Sequence, residues 1–241
     1  MFVCCKQISA PETPAKFMKR DLKLYRDSGF SFSCEACGRC CHNKKIQLNP
    51  YEIVRMADYL GIGTGEFLTR YMMTDEPFLQ MQASRACVFL AAGKCTVHPA
   101  RPLVCRLYPL GQHLNGAGAE HFTCVTPEKT CESRVGERST VDRFLVVNDT
   151  EPYMEASRKY LELFYRFYES MVRQLQQRDD IDLDLGAYQS KVLMEEWFDV
   201  DKVVAAYCQA EEKSAPADLS GRVQLHIEAL GARFGSGSEV S

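Results

Sequence analysis

Residues 34–41 read Cys34-Glu35-Ala36-Cys37-Gly38-Arg39-Cys40-Cys41, four cysteines in eight positions. Two residues between thiols let both turn toward one ion from a single tight loop, and Gly38 supplies the positive φ that such a loop often needs. The spacing points to ligation of a soft metal centre, around which the rest of the chain is organised. Cys34 and Cys37 followed by Gly38 have the form of a zinc-ribbon knuckle. Cys37-x-x-Cys40 repeats the spacing, as the first half of a bacterial ferredoxin run does. The loop alone leaves zinc and an iron–sulfur cluster both open.

A single loop rarely closes such a site, and further thiols follow at Cys87, Cys95, Cys105, Cys124 and Cys131. Nine of the 12 cysteines thus fall between residues 34 and 131, and Cys4, Cys5 and Cys208 are outliers. A disulfide framework is the competing explanation. Such frameworks belong to short secreted chains, and Met1-Phe2-Val3-Cys4-Cys5-Lys6-Gln7 contains no apolar run of signal-peptide length. Adjacent Cys40 and Cys41 would also be strained as a pair. The expectation is therefore a reducing, cytoplasmic setting with metal-bound or reduced thiols.

The order Phe32-x-Cys34-x-x-Cys37-x-x-Cys40-Cys41, then Cys87-x-Phe89-Leu90, Gly93-x-Cys95, His98-x-x-Arg101-Pro102-x-x-Cys105-Arg106-x-x-Pro109, resembles the YkgJ-like family of cysteine-cluster, zinc- or iron-chelating domains. The resemblance spans about 100 residues and implies metal chelation, by an iron–sulfur cluster or by zinc; it says little about a substrate. A related cluster occurs in flagellin lysine-N-methylases, so the resemblance also implies methyl transfer as an alternative. Val97 and His98 stand where the family often has a tyrosine, which leaves open whether His98 is a ligand.

With 241 residues, 46% of them hydrophobic, the chain can bury a core without relying on metal. A net charge of −3 argues against a general nucleic-acid surface, and no stretch has the apolar length of a membrane span. Residues 1–30 read as a loose arm with at most a helical turn. Asn49, Pro50 and Glu52 spell an N-cap, a first-turn proline and a capping box, followed by Ile53, Val54, Met56, Ala57 and Leu60 on one face, with Gly61 as the stop. A second short helix is expected from Thr64 through Met72. Cys87–Leu90 and Cys95–His98 read as the strands of a hairpin about Ala92-Gly93. Pro99, Pro102 and Pro109 then predict irregular backbone around Cys105. Asn115-Gly116 marks a second hairpin turn that brings His113 and His121 near each other, where they read as ordinary surface or core histidines.

From Ser139 the pattern becomes helical. A long amphipathic helix opens at Thr150 and Pro152 with Tyr153, Tyr160, Phe164, Phe167, Met171 and Leu175 on one stripe, and helices fit 186–197, 200–212 and 219–230. The expected fold is α+β, mostly helical: an arm at 1–30, a loop-rich cysteine region with short β-hairpins at 31–138, packed against a helical part at 139–231, and a disordered tail at 232–241.

Four thiolates around Zn²⁺, or around an oxidised four-iron cluster, leave a charge of about −2 that needs compensation, for which Arg39, Lys44, Lys45, Arg101 and Arg106 are the candidates, with Arg101 and Arg106, bracketing Cys105, favoured over the lysines. The candidate ligands are Cys34, Cys37, Cys40, Cys41, Cys87, Cys95, Cys105, Cys124 and Cys131, more than one four-ligand site uses. A three-thiolate loop with a remote fourth thiolate at Cys105 favours an iron–sulfur cluster over zinc, for which pairs suffice. No Walker loop, HExxH helix or serine elbow is present, so no enzyme class is supported. Beyond the metal ion or cluster, no partner is read from the sequence.

Overall fold

The computed structural model describes residues 23–176 and 196–234, apart from 75, 116, 117 and 132. The helical turn expected in the arm, Cys4, Cys5, the tip of the second hairpin, most of the helix expected over 186–197 and the chain from 235 lie outside the described residues. Among those residues stand seven helices and three two-stranded antiparallel sheets, the α+β, mostly helical class expected. Two compact units divide the chain, and both are discontinuous: Met1–Ile46 with Leu79–Tyr153, and Gln47–Phe78 with Met154–Ser241.

In the first unit, β1 (Gly29–Ser31) pairs with β6 (Gly136–Thr140), and its register shifts between Gly29 and Ser31. β2 (Leu90–Ala91) and β3 (Lys94–Cys95) form a minimal hairpin. β4 (Leu110–Leu114) and β5 (Glu120–Cys124) form a longer one, regular from Leu110↔Cys124 to Leu114↔Glu120. Leu24 adds an outer bridge to Phe122 through two 2.8 Å backbone hydrogen bonds. The core collects Phe30, Val97, Leu107, Leu110, Phe122, Leu145 and Tyr153, all buried, with Phe30 edge-on to Phe144 at 5.0 Å. α4 (Val141–Val147) starts where the Thr140 hydroxyl accepts from the Arg143 amide.

Two expectations change in this unit. The first hairpin is much shorter than Cys87–His98: Ala92 and Gly93 both take positive φ (48° and 73°) and close a two-residue turn beside Ala91↔Lys94, the ladder ends at Leu90↔Cys95, and the chain then curls into a 3₁₀ turn at His98–Ala100. Cys105 sits on a helix, α3 (Leu103–Leu107), and not on irregular backbone. Pro102 is the N-cap of that helix and Pro109 lies past its end, so the prolines bound it without removing any of its internal hydrogen bonds.

The second unit is helical. α1 (Pro50–Leu60) has the capping box expected: the Asn49 side chain accepts from the Glu52 amide at 3.0 Å, the Glu52 carboxylate from the Asn49 amide at 2.8 Å, and Gly61 ends the helix with φ 69°. α2 (Thr64–Tyr71) follows. α5 (Glu151–Gln176) starts in the first unit and continues into this one. Of its stripe here, Tyr160 and Phe167 are buried; the side chains of Met171 and Leu175 lie outside the described residues. α6 (Val200–Ala210) and α7 (Leu219–Phe234) complete the unit. Val54 of α1 meets Val200, Val204 and Cys208 of α6, with Leu219 and Leu225 of α7 packed on the cluster. Cys208 is thus a buried apolar neighbour among valines.

Candidate metal centre

The cysteine loop turns through two residues of positive φ, Ala36 (53°) and Gly38 (68°), into a 3₁₀ turn at Arg39–Cys41, where the Cys41 amide donates to the Gly38 carbonyl. Gly38 has a second reason to be glycine. A Cβ there would lie 2.6 Å from the Gly93 carbonyl oxygen and 2.6 Å from Leu90 Cδ1, so the loop lies directly against the β2–β3 turn that carries Cys95. The strand-like segment after the loop is tied to the approach to Cys87: the Asn43 amide donates to the Arg85 carbonyl at 2.9 Å, and the Cys87 amide to the Cys41 carbonyl at 2.8 Å. Cys87 and Cys95 are linked in turn, since the Leu90 amide donates to the Cys87 carbonyl and Leu90 pairs with Cys95.

The electrostatics show which thiols are gathered. The Cys40 and Cys41 thiols share a hydrogen bond that pulls Cys40 below and pushes Cys41 above the ordinary thiol value, and Cys41 is raised further by burial and by Cys40, Cys105 and Cys95. Burial raises Cys34, Cys87 and Cys95. Beyond burial, Cys34 feels Cys37 and Cys40, Cys87 feels Cys95 and Cys40, and Cys95 feels Cys40 and Cys34. Seven of the nine candidates, Cys34, Cys37, Cys40, Cys41, Cys87, Cys95 and Cys105, are thus joined in a chain of pairwise interactions, in which Cys37 is linked through Cys34 and Cys105 through Cys41. Cys124, at the base of the β4–β5 hairpin, is raised by burial alone and contacts the Val125 carbonyl at 3.6 Å. Cys131 stands beside Tyr108, whose hydroxyl burial pushes up to about 12 and which also senses Cys40 and Cys131. Among the described residues, no three His, Cys, Asp or Glu side chains are already arranged to hold a metal ion.

Cations flank the group. Arg101 carries favourable electrostatics to Cys34, Cys105 and Cys95. Its guanidinium donates to the Asn148 side chain at 2.9 Å and to the His98 carbonyl at 3.0 Å, and approaches His98 Nδ1 at 3.3 Å. Burial, then Arg101 and Arg106, hold His98 below its ordinary value, and His98 Nε2 lies 3.6 Å from Cys34 Sγ. Arg106 has a different task. It is 5% exposed, donates to the carbonyls of Arg101, Pro99 and Asn148 and to the Tyr153 hydroxyl, and stacks on the Tyr153 ring at 4.3 Å. Its hydrogen bonds thus brace the segment on either side of α3 and do not reach toward sulfur. Lys44 sits 4.4 Å over the Tyr108 ring, with Glu128 at 3.9 Å, while the Glu128 amide donates to the Tyr108 hydroxyl.

Sequence reading missed Tyr108, which joins the loop region to the Cys131 segment, and Asn148, the acceptor for Arg101. No cysteine spacing marks either residue. His113 and His121 stack at 4.9 Å across β4–β5, with His113 Nε2 bonded to the Thr123 hydroxyl at 2.9 Å.

Thiol-rich loops beside arginines are the pattern of a cysteine-cluster, metal-chelating domain. Residues 33–132 match the CxxCxxCC family, described as a "putative zinc- or iron-chelating domain". The family resemblance read from the spacing agrees with that match, which supports metal binding. An uncharacterized protein of Methanocaldococcus jannaschii is 31% identical over 98 residues, 39% of this chain and 51% of the relative. The chain thus spans about half the length of that curated relative. No solved structure matches. Neither comparison gives support to methyl transfer.

Proposed function

We propose that the first unit is a thiolate-ligated metal-binding module and that its centre is an iron–sulfur cluster in preference to zinc. The observation that supports this is the packing of the Cys34–Cys41 loop against the β2–β3 turn and the Cys87 segment, with pairwise interactions joining Cys34, Cys37, Cys40, Cys41, Cys87, Cys95 and Cys105 and with Arg101 beside Cys34, Cys95 and Cys105. Soft thiolates suit zinc and iron–sulfur centres alike. A three-thiolate loop plus a separate thiolate on α3 is the donor set a cubane uses, while zinc sites are commonly built from pairs; seven thiols exceed the four that either centre takes. Cys34, Cys37, Cys40 and Cys105 are the ligands assigned here, with Cys41, Cys87 and Cys95 as alternates at the same centre; Cys124 and Cys131 fall outside this choice.

When bound, an iron–sulfur centre would supply one-electron redox chemistry. The protein's own part is to hold four thiolates, to offset their charge with Arg101, and to keep the surrounding backbone rigid through Arg106. Isolation without oxygen, followed by an absorption spectrum with iron, sulfide and zinc analysis, tests the reading. Cys37→Ser and Cys105→Ser should each abolish a broad band at about 400 nm, where sulfur-to-iron charge transfer absorbs, and Cys208→Ser should leave it intact. Colourless protein after iron–sulfide reconstitution, with stoichiometric zinc, decides for zinc.

A further inference from the structure

Among the described residues, His98 Nε2 contacts a candidate thiol, Cys34 Sγ, and its ring is held from both sides. A guanidinium carries only donors, so the 3.3 Å contact from Arg101 to Nδ1 is a hydrogen bond only when Nδ1 is bare. A neutral imidazole with a bare Nδ1 carries its proton on Nε2, and Nε2 faces Cys34 Sγ at 3.6 Å, the length of an N–H···S contact. The opposite arrangement, with Cys34 donating to Nε2, would place an Nδ1–H against the Arg101 N–H. Arg101 cannot swing away freely, since the same guanidinium is also bonded to the His98 carbonyl and to Asn148. The 3₁₀ turn at His98–Ala100, which carries the ring, is closed by the Arg101 amide donating to the His98 carbonyl.

From this geometry we infer that His98 is not a metal ligand but a hydrogen-bond donor to the Cys34 thiolate, with Arg101 the positioning residue that fixes its tautomer. The inference rests on the metal-binding reading for its purpose: a donor to a ligating sulfur withdraws charge from it, as partners of metal ligands commonly do. The chain Asn148–Arg101–His98–Cys34 carries positive charge to the edge of the thiolate group without placing a guanidinium on sulfur. It also disposes of the ring nitrogen that would otherwise compete for the metal.

The tautomer is directly measurable. In the full-length ¹⁵N-labelled protein, long-range ¹H–¹⁵N correlations of the five histidines distinguish a protonated from a bare ring nitrogen. The His98 signals are assigned by their loss in His98→Gln or, should that variant not fold, by subtraction using the His42, His113, His121 and His226 variants. The expected pattern is a bare Nδ1 and a protonated Nε2, both before and after loading with zinc, and a mixed population in Arg101→Met. A protonated Nδ1, or loss of the Nε2 proton when zinc is added, overturns the inference. Metal content gives the second arm. Gln carries an N–H at the reach of Nε2 but is a poor ligand, so His98→Gln should keep the wild-type zinc or iron stoichiometry, while His98→Ala weakens binding by about 10- to 100-fold. Loss of metal from His98→Gln equal to that from Cys34→Ser makes His98 a ligand and refutes the proposal. If the wild type binds neither zinc nor iron, the metal reading fails while the tautomer in the metal-free protein still decides the role of His98.

Discussion

Arg106 shows how a charged residue beside a cysteine can be structural. Its guanidinium has four hydrogen-bond partners, three of them backbone carbonyls around α3 and α4, and is 5% exposed. Arg106→Met strands those acceptors in a dry site, and with about 1–3 kcal/mol for each buried group left unpaired, a loss of at least ~3 kcal/mol is expected in urea unfolding. Arg106→Lys should recover little of it, because an ammonium lacks the planar fork that spans acceptors on both sides. Gly38 and Gly61 provide a paired comparison. Both have φ near 70°, so an alanine costs about 1–2 kcal/mol of left-handed strain at either. Only at Gly38 does the new Cβ also collide with the β2–β3 turn, whereas nothing lies within 4 Å of the Gly61 position. Thermal unfolding should therefore show Gly38→Ala to be clearly the more damaging, and metal content should fall with it.

At the scale of elements, the starts of α2 and α6 cap one another. The Thr64 hydroxyl donates to Asp199 at 2.8 Å and accepts from the Asp201 amide at 2.9 Å, and the Thr64 amide donates to the Asp201 carboxylate at 2.8 Å. Two sets of helix-terminal donors, unsatisfied within their own helices, are thus supplied by side chains at the other helix start. Thr64 is fully buried, so Thr64→Val keeps the volume but leaves an amide and a carboxylate without the hydroxyl; a cost of about 1–3 kcal/mol is expected from denaturant midpoints. The α1 capping box is local by comparison. Asn49→Ala should cost about 1 kcal/mol in the same measurement.

At the scale of the whole molecule, the helical unit is split in sequence: α1 and α2 precede Cys87, whereas α6 and α7 follow residue 199. Its Val54–Val200–Val204–Cys208 cluster needs both segments. A fragment of residues 154–241 should show no cooperative thermal transition by circular dichroism, and supplying 47–78 should restore one. The same unit carries a pH dependence. His226 is fully buried, bonded to the Tyr160 hydroxyl at 2.9 Å, and burial lowers it to about 3. The unfolded chain takes up a proton on this residue below about pH 6.5, and the native state does not until about pH 3. Stability is thus undiminished above about 6.5 and falls as pH drops from there toward 3, by up to about 1.4 kcal/mol per pH unit from this group. Urea unfolding between pH 7 and 5 should show a flatter slope in Tyr160→Phe/His226→Leu, which removes the titrating ring together with its partner.

What the sequence determined by itself was local. Asn49, Pro50, Glu52 and Gly61 each act within a turn of α1, through the bonds between a side chain and the nearest amides and a φ that glycine alone adopts without strain, so the bounds of that helix were readable. Asn115 and the alternation around it placed His113 opposite His121 for the same reason. The thiol count and spacing pointed to soft-metal chemistry, because sulfur suits a soft metal whatever the fold. Tertiary structure decided the rest. Whether Pro102 breaks a helix or begins one depends on where the chain goes next. That Arg101 turns to His98 while Arg106 turns to carbonyls follows from the position of Asn148, more than forty residues on. That Cys124 turns to the Val125 carbonyl has the same origin: spacing along a chain measures reach, and only packing determines which groups end up facing each other.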